Sequence, residues 1–340
     1  MRWDGQAIAA DDGALPGLVR MAGLVRTVRT PEFAGVTFHE VLAKSALSRV
    51  PEQSRLPFRW TVNPYRGCTH ACRYCFARPT HEYLDLDPGR GFDSEIVVKV
   101  NVVDALRRDL ARPTWSGQAV ALGTNTDPYQ RAEGRYRLMP GIIGALADAR
   151  TPISLLTKGT LLRRDLPLLG EAAQRVDVGV GISLAFVDEA LQQAVEPGTP
   201  TPRARLDLVR AVRAAGLPCG VMVAPVLPWL TDATDHLERL LDAVHDAGAT
   251  SVTVLPLHLK AGTREWYMQW LADDYPHLVA CYERVYARGA HASGAYRAWL
   301  WDRVRPMLEA RGLSTAEHRA AAASGGAGGA AEPAGQPSLF

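Results

Sequence analysis

Six short apolar runs recur through the middle of this chain, at residues 58–62, 119–122, 153–156, 176–184, 220–224 and 251–255. Between them lie stretches with helical periodicity, at 103–111, 141–149, 161–175, 202–215 and 234–247. Asp104 gives one of these an acidic first turn, and Gly216 and Gly248 stand just past the ends of two others, where a left-handed cap is needed. Parallel neighbouring strands can be joined only by a crossover, so strand–helix alternation predicts a parallel sheet covered by helices. Six such units suit an α/β fold of the incomplete TIM-barrel kind, a partial (β/α)6 barrel, whose sites gather on loops at the C-terminal strand ends. A doubly wound sheet is the competing topology, but no G-x-G-x-x-G follows any of the runs.

The rest of the chain is organised around that core. Residues 1–55 read as a leader with one short helix near residues 39–47, and residues 56–262 form the barrel-like core. Residues 263–319 are helix-patterned and rich in aromatics, including Trp266, Tyr267, Trp270, Tyr282, Tyr286, Trp299 and Trp301. Aromatics bury large areas, so these are expected to seal the open edge of the barrel, with a substrate-facing lid as the other reading. Residues 320–340 are Ala, Gly, Ser and Pro with few large apolar side chains, and are expected to be disordered.

A formal net charge of +2 does not by itself demand nucleic acid as a partner. The first residues contain no apolar run, and no window approaches the roughly 20 apolar residues that span a bilayer. Five cysteines, with three of them in one loop, argue against a disulfide framework and for a reducing, cytoplasmic setting.

Those three are Cys68, Cys72 and Cys75, following the first apolar run at C-x3-C-x2-C spacing. Full protein ligation of a cubane cluster takes four cysteines, so three leave one iron open to a small molecule. Open coordination marks a working site, whereas structural metal sites are closed. The spacing points to a [4Fe–4S] cluster. A closed zinc site using His70 or His81 as the fourth ligand is the alternative, and zinc more often takes two separated cysteine pairs. No second pair lies downstream, where Cys219 and Cys281 stand alone.

The segment Asn63-Pro64-Tyr65-Arg66-Gly67-Cys68-Thr69-His70-Ala71-Cys72-Arg73-Tyr74-Cys75-Phe76-Ala77-Arg78 resembles the cluster loop of radical S-adenosylmethionine (SAM) enzymes. It is most similar to the branch related to spore photoproduct lyase. The resemblance implies a cluster that chelates SAM and cleaves it reductively to a 5′-deoxyadenosyl radical. It also implies an external one-electron donor of the flavodoxin or ferredoxin type. Tyr74, directly before the third cysteine, becomes the candidate catalytic side chain, packed on the adenine side.

Further carry-overs fall at other strand ends. Gly123-Thr124-Asn125-Thr126-Asp127-Pro128-Tyr129-Gln130 resembles the branch's T-D-x-Y-Q segment. Thr124, Asn125 and Thr126 would offer hydroxyl and amide groups to SAM, and Asp127 a negative charge to its ammonium. Thr157-Lys158 resembles the branch's T-K pair, with Lys158 a cation for a carboxylate or phosphate. Ser183 matches a hydroxyl position against SAM, and residues 223–228 an apolar shelf for adenine. Arg205 would fork onto the SAM carboxylate, or else lie on the solvent face of its helix.

The lyase returns a hydrogen atom from a downstream cysteine, and this chain has none between Cys75 and Cys219. The expected substrate is therefore another DNA lesion or nucleotide, with a non-nucleic-acid substrate and a non-catalytic zinc or iron–sulfur module as alternatives. The final Gln336-Pro337-Ser338-Leu339-Phe340 resembles peptides that hold the sliding clamp, with Pro337 in place of the usual leucine. Such a peptide on a loose tether works by local concentration.

Overall fold

The computed structural model describes residues 23–313, apart from 52, 53 and 55. The expected tail and the clamp-like peptide at Gln336–Phe340 lie outside the described residues.

The strands are β1 (Leu24–Val28), β2 (Thr37–Val41), β3 (Leu47–Arg49), β4 (Trp60–Val62), β5 (Tyr65–Arg66), β6 (Glu95–Lys99), β7 (Val120–Leu122), β8 (Ile153–Thr157), β9 (Val178–Ser183), β10 (Cys219–Val226) and β11 (Ser251–Pro256). One sheet runs in the order β11-β10-β9-β8-β7-β4-β3. Every pair from β4 to β11 is parallel, and β3 caps the β4 edge antiparallel. Sequential order with parallel pairing is the open (β/α)6 arrangement expected from the alternation.

Whereas α1 (Arg90–Ser94) packs on β6 and α6 (Glu189–Val195) joins a second core, helices α2 (Val102–Leu110), α3 (Arg131–Tyr136), α4 (Leu138–Asp148), α5 (Leu166–Ala172), α7 (Pro202–Ala214) and α8 (Thr234–Asp246) cover one face. Val120, Leu122, Ile153, Leu155, Val178, Val180, Ile182, Val221, Val223, Val252 and Val254 are buried against them in the main core. Strand residues alternate between faces. The opposite face therefore carries Ser154, Leu156, Gly179, Gly181, Gly220, Met222 and Thr253, all only partly buried or exposed. Register makes these neighbours: Ser154 opposes Gly179, Leu156 opposes Gly181, and Gly181 opposes Gly220. This concave lumen carries three glycines, Ser154 and Thr253 beside the larger Leu156 and Met222.

The leader differs from expectation. No helix forms near residues 39–47, because Thr37–Val41 is a strand buried at every position. It sits inside a second sheet of order β1-β2-β6-β5. Its polar residues are matched from a distance, with His39 Nε2 2.6 Å from Glu95 Oε2 and Glu40 paired with Arg26 at 2.7 Å. After the barrel come α9 (Thr263–Asp274), α10 (Val279–Val285) and α11 (Gly294–Ala310). Tyr267, Trp270, Tyr282 and Tyr286 form a second core with Leu227, Leu257 and Leu259 from the loops after β10 and β11. Among the described residues no helix is long and apolar enough to cross a membrane.

Candidate active site at the C-terminal strand ends

The three cysteines lie in the loop beyond β4 and β5, at the C-terminal mouth of the parallel sheet. Cys68 and Cys72 are buried and Cys75 is half-buried. The loop makes almost no regular structure, so its shape comes from side chains reaching into its backbone. Gln130, fully buried, accepts from Thr69 N at 2.9 Å and donates to Gly67 O at 3.0 Å. Arg78, also fully buried, donates to Cys72 O at 2.9 Å and to Gly89 O at 2.6 Å, and pairs with Asp93 at 2.8 Å. Its guanidinium lies between the Phe92 and Trp266 rings. Thr263 Oγ1, at the start of α9, donates to Cys75 O at 3.1 Å. Gly198 N donates to His70 O at 3.0 Å, and a Cβ at Gly198 would stand 1.9 Å from Thr69 O, so only glycine permits that approach.

Two buried charge networks flank the thiols. In the first, Asp127 Oδ1 accepts from Thr157 Oγ1 at 2.5 Å and Tyr129 N at 2.9 Å. Its Oδ2 accepts from Lys158 N at 2.6 Å and faces His70 Nδ1 at 3.4 Å. Burial works against the Asp127 charge, but His70 and these donors outweigh it and hold the carboxyl down at about 2. His70 is pushed up to about 10, since Cys68 and Asp127 together overcome the desolvation that opposes its charge. Asp127 thus spends both oxygens on the protein. It fixes Lys158 and His70 and does not stand open to an ammonium.

In the second network Glu196, fully buried, binds Arg205 Nη2 at 2.6 Å, accepts from Tyr74 OH, and lies 4.0 Å from Lys158 Nζ. Burial disfavours its charge, yet Arg205 and Lys158 hold its pKa below the usual value. Lys158 Nζ also sits 5.8 Å from the Tyr74 ring centroid. Arg205 is not on the solvent face of α7. It is fully buried, and also donates to Ser183 O at 3.1 Å, Pro200 O at 2.9 Å and Thr199 Oγ1 at 3.0 Å. Its donors are taken by protein, so it stands behind the pocket as a support.

The other sequence-derived positions divide similarly. Thr126 is buried and donates to Tyr65 O at 3.0 Å, making it part of the loop's frame. Asn125 uses its backbone N toward Asn63 Oδ1 at 3.2 Å. The side chains of Thr124 and Asn125 are half-buried and engage no hydrogen bond among the described residues, which leaves both open to a ligand. Ser183 Oγ makes a long 3.5 Å contact with Ala224 O across the lumen face. Gln130, Arg78 and Glu196 have holding roles that the motifs did not specify, and His70, weighed in sequence only as a zinc ligand, pairs with Asp127.

The three thiols are compatible with a cluster. Among the described residues no three His, Cys, Asp or Glu side chains converge to share one metal ion. A cubane needs no such convergence, since each cysteine binds its own iron. Burial drives Cys72 well above the ordinary thiol value and Cys75 up to about 11, so bare thiolates are unfavourable there. Metal coordination supplies the missing positive charge and deprotonates a thiol outright.

Comparison with known proteins agrees with this geometry. The family model of the radical SAM superfamily matches residues 62–244. An uncharacterized protein of Mycobacterium tuberculosis is 61% identical over 326 residues, 94% of this chain and 95% of its own length. An uncharacterized protein of Methanocaldococcus jannaschii is 25% identical over 174 residues, 51% of this chain and 62% of its own. Among solved structures, spore photoproduct lyase complexed with dinucleoside spore photoproduct superposes with a TM-score of 0.60 at 16% identity, covering 80% of this chain and 79% of that one. A second spore photoproduct lyase structure gives 0.61 at 17% identity, covering 82% and 81%. With the fold, the cysteine loop and the matching model in agreement, the chain belongs to the radical SAM superfamily.

Proposed function

We propose that Cys68, Cys72 and Cys75 hold a [4Fe–4S] cluster with SAM on its open iron, and that the enzyme acts on a nucleic-acid lesion or nucleotide. The observation that carries the reading is the placement of all three thiols and the Lys158 ammonium at the mouth of a glycine-rich lumen. Bound there, a reduced cluster supplies one electron to SAM, the chemistry by which the superfamily makes a 5′-deoxyadenosyl radical. An outside carrier must deliver that electron.

The chain's own residues organise the cofactor end. Lys158 is the cation for the SAM carboxylate, and Glu196 and Asp127 fix its position through Nζ and backbone N respectively. Thr124, Asn125 and Ser183 offer neutral polar groups at neighbouring strand ends. Tyr74, next in sequence to the third cysteine, is braced by Glu196. Gln130, Arg78 and Thr263 hold the loop backbone so that the thiols keep their spacing.

Neither remaining cysteine is well matched to the hydrogen donor of a lyase that uses one, which argues for a different substrate chemistry. Cys219 is fully buried in the outer core, with its pKa pushed up to about 12 by burial, and points away from the lumen. Cys281 lies on α10, within hydrogen-bond reach of Arg284 at 3.2 Å. The nucleic-acid part of the reading draws support from the likeness in fold to spore photoproduct lyase.

The test is anaerobic reduction of the reconstituted protein with SAM and candidate DNA lesions carrying deuterium. Deuterium entering 5′-deoxyadenosine identifies the substrate. Stoichiometric zinc, no iron and no SAM cleavage in anaerobically purified protein would overturn the radical reading. Deuterium transfer from non-nucleic-acid compounds alone would overturn the substrate class.

A further inference from the structure

Two loops that leave well-separated strands meet at the mouth of the sheet. The cluster loop follows β4 and β5, residues 195–199 lie between β9 and α7, and β7 and β8 stand between β4 and β9 in strand order. The contact is made by backbone. Arg73 N donates to Val195 O at 2.9 Å, and Gly198 N donates to His70 O at 3.0 Å. These two bonds bracket Ala71, which is held at φ 53°. That left-handed conformation is uncommon outside glycine and persists where surroundings impose it.

Gly198 is a point of very close approach. Its own φ lies outside the left-handed range, so no turn requires glycine there. An added Cβ would stand 1.9 Å from Thr69 O, 2.9 Å from Thr69 C and 3.0 Å from His70 C, all of them backbone atoms that cannot swing aside. Glycine is needed because one backbone lies against another. Between the two bonds stands Glu196, whose carboxylate joins Tyr74 OH, Arg205 Nη2 and Lys158 Nζ. The segment is braced from behind by the buried Gln192, whose Nε2 donates to Glu196 O at 2.9 Å and to Thr199 Oγ1 at 2.7 Å. One short segment thus grips the cluster loop through its backbone and reaches Lys158 through a side chain.

We infer that residues 195–199 are a strap that sets where the Lys158 ammonium stands relative to the three thiols, with Gly198 as its positioning residue. The inference rests on the reading of Lys158 as the cation for the SAM carboxylate, and adds what places that cation. A methyl group at position 198 must lift the segment off Thr69 O. Glu196, two residues back, then leaves Lys158 and Tyr74 with it.

The test uses the full reconstituted protein, reduced under anaerobic conditions and titrated with SAM, with the change in the EPR spectrum of the cluster as the readout. Gly198→Ala should keep its iron, because Gln130, Arg78 and Thr263 hold the loop from other sides. Its SAM dissociation constant should rise roughly tenfold. Gln192→Leu, which loosens the strap without a steric push, should shift the constant the same way by less. Lys158→Ala completes the cycle: a strap that acts through Lys158 predicts that adding Gly198→Ala to it costs no further affinity. Unchanged affinity in Gly198→Ala, or effects that add in the double variant, would overturn the strap and leave the SAM reading standing. Wild-type protein with no cluster and no SAM-dependent spectrum would overturn that reading and the strap with it. Should Gly198→Ala lose its iron, the same cycle run with Gln192→Leu decides by the same two criteria.

Discussion

Leu155 and Leu156 are consecutive on β8 and face opposite ways. Leu155 is 2% exposed against the helices, whereas Leu156 is half-buried on the lumen side, where a Cβ at Gly181 would meet its Cδ1 at 3.1 Å. The contrast repeats along the sheet, with Val180, Val221 and Val223 outside and Gly179, Gly181, Gly220 and Met222 inside. A closed TIM barrel fills its interior with branched side chains in layers. This sheet keeps most of its branched residues for the outer face and makes the inner one rich in glycine, with Leu156 and Met222 among them. One side supplies stability, and the other supplies room.

The largest test of that division is Cys72→Ala, on the functional side. It should take iron from about four per chain to none and abolish SAM cleavage, while the unfolding transition moves little. Retained visible absorbance after anaerobic reconstitution would remove Cys72 from the ligand set. Backbone contacts argue that the loop survives the change, because Arg78 grips the Cys72 carbonyl and not its sulfur.

Glu196→Ala should break the comparison, since it is a functional-side change with a stability cost. It leaves Arg205 and Lys158 as buried charges without their shared partner, which costs about 3–5 kcal/mol. Denaturant unfolding reads this directly, and Glu196→Gln should recover part by keeping the Tyr74 contact. A loss below about 1 kcal/mol would mean that water or another group reaches Arg205.

This network shows where sequence reading stopped. The six barrel strands were legible because parallel strands buried on a helix-covered sheet form apolar runs, and the cysteine spacing carried its own chemistry. Glu196, Gln130 and Arg78 fall in segments that resemble the family, but their roles were not legible. Each acts through a partner on another loop: Glu196 through Tyr74, Gln130 through Gly67 and Thr69, Arg78 through Asp93. Arg205 was read as a ligand for SAM or as a solvated helix residue, and its four protein acceptors make it a support instead. β2 was missed because His39 and Glu40 look solvent-facing until Glu95 and Arg26 arrive from other strands.

The paired leucines measure the two faces on a single strand. Leu155→Ala opens a cavity in the packed core and should cost about 2–5 kcal/mol. Leu156→Ala, with fewer neighbours to lose, should cost less than about 1 kcal/mol. The comparison sharpens if Leu156→Ala instead changes SAM or substrate affinity. Equal destabilisation by the two would show that the lumen is packed as tightly as the outside.

The smallest effect belongs to Gly179→Ala, and its sign is the informative part. Gly179 is exposed on the lumen face opposite Ser154, and an added Cβ meets no heavy atom of the described residues within 4 Å. Replacing glycine by alanine where the backbone permits it narrows the unfolded ensemble and typically adds about 0.4–1 kcal/mol. Gly123→Ala provides the contrast. Gly123 has φ 87°, and its Cβ would stand 1.9 Å from Leu156 O, so the same substitution there must shift the backbone at the end of β7. Urea unfolding of both variants should therefore move in opposite directions. If Gly179→Ala is destabilised as well, the lumen glycines serve packing, and the division of labour between the two faces of the sheet fails at its simplest point.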